Sequence, residues 1–115
     1  MPTGIGERRT NAMNLTELND LIRATPWLTA DSEDTIYSIA NYIGSLKVGT
    51  VLLIGGRNGQ PAIGSFGITK VGANNWTGGL PLMEGQNTRD ISERIFWSLK
   101  HLGSSYEITK GELTQ

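Results

Sequence analysis

The stretch Ile54–Gly67, IGGRNGQPAIGSFG, decides how this chain is to be read. It sets five glycines and a proline between the apolar run TVLLI (Thr50–Ile54) and the segment that leads to Val71. A phosphate cradle would need a helix directly after the glycines, so that free N–H groups point at the anion, and the Walker type also needs a Lys-Ser/Thr pair. Neither follows. Pro61 comes next, and then AIGSFGITKV (Ala62–Val71), which alternates small or apolar residues as a strand does. Asn58-Gly59 is the favoured dipeptide of a tight hairpin turn with positive φ. The stretch therefore predicts an exposed antiparallel hairpin with Arg57 solvated beside its turn, rather than a nucleotide loop.

Upstream, Asn14 with Glu17 has the form of a capping box, and Leu15, Leu18, Leu21 and Ile22 recur at helical spacing until Thr25-Pro26 ends the pattern. Asp31, Glu33 and Asp34 then precede Ile36, Ile39, Ala40 and Ile43, one face of a second helix ending near Leu46. Acids in a first turn complement the helix dipole, which explains them without a metal or an acid/base pair. Downstream, a third strand is expected from Trp76 towards Leu82, on an edge because Pro81 cannot donate to a ladder. Gly64 and Gly67 are expected inside the second strand, where they let it bend around a helix.

The segment NTRDISERIFWSLKHLG (Asn87–Gly103) carries the clearest helical signal. Asn87 or Thr88 caps it, Ile91, Ile95, Leu99 and Leu102 form its buried stripe, and Gly103 stands where a left-handed cap belongs. Arg89 with Glu93 and Asp90 with Arg94 are spaced as i,i+4 ion pairs. Ser105–Thr109 supplies a last strand. The fold class is therefore α+β: a single two-layer domain over residues 13–115, in the order α-α-β-β-β-α-β, with a largely antiparallel sheet and helices on one face. Residues 1–12, MPTGIGERRTNA, have no apolar period and are expected to form a disordered leader.

Composition limits function more than it defines it. Ten basic against eleven acidic side chains give a net charge of −1, so no overall field favours nucleic acid or an anionic membrane. The chain has no cysteine, which removes disulfides, thiolate metal sites and cysteine nucleophiles, and its single histidine, His101, removes multi-histidine sites. Gly64-Ser65-Phe66-Gly67 is a residue short of a nucleophile elbow and leads into a strand. We thus expect no catalytic residue, cofactor or metal, no nucleic-acid or membrane partner, and a soluble cytoplasmic protein.

Trp97 carries the functional expectation. It follows Arg94 by three and precedes His101 by four, so all three stand on the charged side of the last helix, nearly opposite the apolar stripe. A large aromatic there calls for a second surface. Trp97, Arg94 and His101 are accordingly expected to form an interface, with a homodimer or another protein as partner. The reading is a small non-enzymatic binding or adaptor protein, and its size and lack of motifs suit an accessory protein of the kind found on mobile elements. The alternative is a small-molecule binding protein or minor enzyme with a pocket between curved sheet and helices, using Tyr37, Tyr42 and Arg57.

Overall fold

The computed structural model describes residues 13–27, 29–78 and 87–111. The expected leader, and the continuation of the third strand through Pro81 to Leu82, lie outside these residues. The elements follow the expected order: α1 (Leu15–Ala24), α2 (Ala30–Gly44), β1 (Val51–Gly56), β2 (Phe66–Gly72), β3 (Asn75–Gly78), α3 (Thr88–Leu102) and β4 (Glu107–Lys110). The four strands form one sheet in the order β3-β2-β1-β4, every neighbouring pair antiparallel.

Alternation along the strands separates the two faces. Leu52, Ile54, Ile68, Trp76 and Ile108 point into the layer of helices and are buried with Leu18, Ile22, Ile36, Ile39, Ile43, Ile91, Ile95, Phe96 and Leu99. The residues between them, such as Leu53, Thr69, Thr77 and Thr109, stay partly exposed on the other face. Burying Trp76 removes roughly 200 Å² from water, on the order of 5 kcal/mol. Its Nε1–H has no partner among the described residues. That omission costs about 1 to 3 kcal/mol, so the burial term wins.

The helix ends follow local sequence. The Glu17 N–H donates to Asn14 Oδ1 at 2.8 Å and the Asn14 N–H to Glu17 Oε1 at 2.9 Å, which completes the capping box. Asn87 caps α3 through the Asp90 N–H at 2.8 Å. Gly103 ends α3 at φ 118° and ψ 174°, a positive φ outside the left-handed helical basin that was expected.

The opening stretch is more complex than one hairpin. Asn58 and Gly59 have φ of 53° and 77°, and Arg57 and Gln60 exchange two backbone hydrogen bonds of 2.9 Å, so the tight turn is where the sequence puts it. An uninterrupted hairpin about this turn would set Ile54 opposite Ile63. Ile54 instead pairs with Phe66. Ala62–Ser65 forms a second turn, closed by the Ser65 N–H on the Ala62 carbonyl at 2.9 Å, and Ile63 is almost fully exposed. The second strand thus begins at Phe66, and Gly64 lies in a turn rather than a strand. Leu102, at the end of α3, lies over both segments. A Cβ on Gly55 would stand 2.7 Å from Leu102 Cδ1, and one on Gly64 3.0 Å from Leu102 Cδ2.

Two buried polar residues connect the layers. Lys70 enters the core from β2 and donates Nζ to the carbonyls of Leu46 (2.7 Å), Gly44 (2.9 Å) and Ile43 (3.4 Å), so its charge meets the negative end of α2. Asn19 on α1 donates Nδ2 to the Ile108 carbonyl and accepts the Ile108 N–H at Oδ1, both at 2.9 Å. One amide side chain thereby satisfies the outer edge of β4 as a neighbouring strand would.

Candidate functional site

An open groove of about 730 Å³ runs along the outer side of α3, lined by Trp27, Asp90, Glu93, Arg94, Trp97, Ser98 and His101. The structure brings together Trp97, Arg94 and His101, as their helical spacing requires. It adds Trp27 from the α1–α2 connection. The Trp27 and Trp97 ring centroids are 6.0 Å apart with planes at 39°, and Trp27 meets His101 edge-on at 6.3 Å.

Trp97 is less isolated than its position on the charged side implies. It stands edge-on to the buried Phe96, with centroids 4.9 Å apart, and packs partly against the core while Trp27 shares its outer surface. Trp27 itself remains 47% exposed. The pair therefore joins core to solvent. Periodicity finds Trp97 but is blind to Trp27, which has no helical neighbours to align with. The usable signal was its place after Pro26, in a connection where a large aromatic has no core face to fill.

Polar bonds hold the connection that carries Trp27. Lys100 on α3 donates Nζ to the Thr25 carbonyl at 2.6 Å, the Thr25 hydroxyl meets the Thr35 hydroxyl at 2.6 Å, and Thr25 Oγ1 donates back to Leu21 at 2.7 Å. Partial burial pushes the Lys100 ammonium below its ordinary value.

The charges divide unevenly. Arg89 bonds Glu93 on its own helix and Glu33 on α2, and these hydrogen bonds raise its already high pKa. Glu33 is thus committed to joining two helices. The second expected i,i+4 pair does not form: neither Asp90 nor Arg94 makes an ion pair among the described residues. Among the described residues, the groove keeps one unpaired cation, Arg94, and one unpaired anion, Asp90, beside its indoles. Among the described residues no three His, Cys, Asp or Glu side chains gather as a metal site.

The residues of the small-molecule alternative stand elsewhere. Tyr37 is exposed on α2, and Tyr42 lies half-buried against the core, where burial raises its pKa. Arg57 holds its guanidinium 5.5 Å from the Tyr106 ring centre. None of the three lines the groove or two smaller cavities, of about 60 and 170 Å³, that flank α1. No helix among the described residues is long and apolar enough to cross a membrane. No protein-family model, curated protein or solved structure matches this chain.

Proposed function

We propose that this chain is a small non-enzymatic binding protein whose recognition surface is the α3 groove and whose partner is a protein. One observation carries the reading: polar bonds from Lys100 and Thr35 hold Thr25 in place, with Trp27 two residues on and half-exposed against Trp97. A fixed aromatic pair offers apolar contact area at little entropic cost on binding, and Arg94 and Asp90 beside it, without an ion pair among the described residues, supply direction. A groove open along a helix suits a complementary helix or loop better than an enclosed small molecule. The cytoplasmic location expected from the composition belongs to the same proposal.

Photo-crosslinking in the producing cell tests it. With benzoylphenylalanine at Ser98, inside the groove, protein adducts are expected, and they should disappear when Trp27→Ala is added. The same probe at Tyr37, exposed outside the groove, should give none of these adducts. Equal labelling from both positions, or no protein adduct from position 98, refutes the reading.

A further inference from the structure

We infer that the occupant of the groove is a second copy of this chain, packed about a two-fold axis with the two α3 helices antiparallel. The inference rests on the binding role proposed for the groove and names its partner. Asp90, Arg94, Trp97 and His101 follow one another at spacings of four, three and four, which places them in one stripe along the outer side of α3. This spacing is the same in both directions. A two-fold axis between Arg94 and Trp97 therefore sets, at equal heights along the helices, Asp90 beside His101 of the second copy and Arg94 beside Trp97 of the second copy.

The chemistry matches at each position. A carboxylate meets an imidazole, and a guanidinium meets an indole face, each contact occurring twice. The fold leaves these groups available, because Arg89 takes Glu33 and Glu93 whereas Asp90 and Arg94 have no ion pair among the described residues. An unrelated partner would have to present the complementary order of groups; this stripe already complements itself. The fifteen residues of α3 make a contact about 22 Å long. With Trp27 from each copy, the buried area comes to roughly 1,000 Å², the low end for a specific interface, so dissociation in the micromolar range is expected.

Sedimentation equilibrium of the full chain decides the matter, with exchanges at Asp90 and His101, both exposed and outside the core. Asp90→Arg alone, which removes the carboxylate facing the imidazole, and His101→Glu alone, which sets two carboxylates opposite each other, should each raise Kd about ten-fold, whereas the double variant should return to within about three-fold of wild type. Trp27→Ala should weaken the dimer while thermal melts show the fold retained. A wild-type chain that stays monomeric to about 1 mM overturns the inference. Adducts from position 98 to a different protein would then leave the binding role of the groove standing. A dimer indifferent to all these changes uses another face, and a double variant no tighter than the singles rules out the antiparallel register.

Discussion

Asn19 offers the sharpest test of how the sheet edge is held. Its amide makes two buried hydrogen bonds of 2.9 Å with the backbone of Ile108. Asn19→Leu keeps the side-chain size but removes both partners and leaves an N–H and a C=O facing hydrocarbon. Two lost bonds at about 1 kcal/mol each, plus part of the penalty for stranded groups, give a loss of about 2 to 4 kcal/mol. That corresponds to roughly 10 to 20 °C in Tm for a domain of this size. Asn19→Ala removes the same bonds, but a cavity of about 170 Å³ lined by Thr16, Asn19, Glu107 and Ile108 adjoins the site, so water can enter. Its expected cost is smaller, about 1 to 2 kcal/mol. Denaturant melts give the order, and exchange of the Ile108 amide, protected in wild type and fast in both variants, localises the effect. If apolar packing dominated this position, leucine would be the milder change. An Asn19→Leu protein as stable as wild type, or more stable than Asn19→Ala, refutes the reasoning.

Lys70→Met keeps most of the packing volume but leaves the carbonyls at the end of α2 without their donor, so a loss of about 2 kcal/mol is expected in chemical denaturation. Gly55→Ala and Gly59→Ala separate two effects of glycine: both sites have positive φ, but only at Gly55 does a Cβ overlap another side chain. Gly59→Ala should cost about 1 kcal/mol and Gly55→Ala at least twice that, and equal costs would show that Leu102 moves aside freely. Burial raises the Tyr42 pKa above 10.0, so phenolate absorbance should show a component titrating above pH 10 that Tyr42→Phe removes. Since the folded value exceeds the unfolded one, the stability contributed by the neutral phenol is complete below about pH 10 and is lost as pH rises through the folded pKa.

What could be read from the sequence was what neighbouring residues determine. The Asn14–Glu17 box, the Asn87 cap and the Asn58-Gly59 turn are each satisfied within a few residues, and all three stand where the sequence puts them. The start of β2 lies beyond a second turn that strand alternation does not show, closed by Ser65 on Ala62 and packed under Leu102, more than thirty residues away. Buried Lys70 and Asn19 look like ordinary solvated positions, because their partners are backbone groups of distant elements. The groove divides in the same way. Helical spacing places Arg94, Trp97 and His101 on one side of α3, while Trp27 arrives from a connection whose course is set by Lys100, Thr25 and Thr35.

The two sides of α3 make different demands on the same helix, and this determines which substitutions are informative. Ile91, Ile95, Phe96 and Leu99 are fully or almost fully buried beneath it, and changes there test the fold. Trp97 belongs to both sides, since it packs on Phe96 as well as lining the groove, so its loss alone confounds stability with binding. Trp27, Asp90 and His101 are exposed, and Arg94 is half-exposed without an ion pair among the described residues. Exposed positions away from packing and networks usually change stability by less than about 0.5 kcal/mol. A groove that served only to cover Phe96 would tolerate Asp90→Arg and His101→Glu but not the loss of Trp97. A recognition surface responds to both, and only an antiparallel pair of copies recovers when Asp90→Arg and His101→Glu are combined.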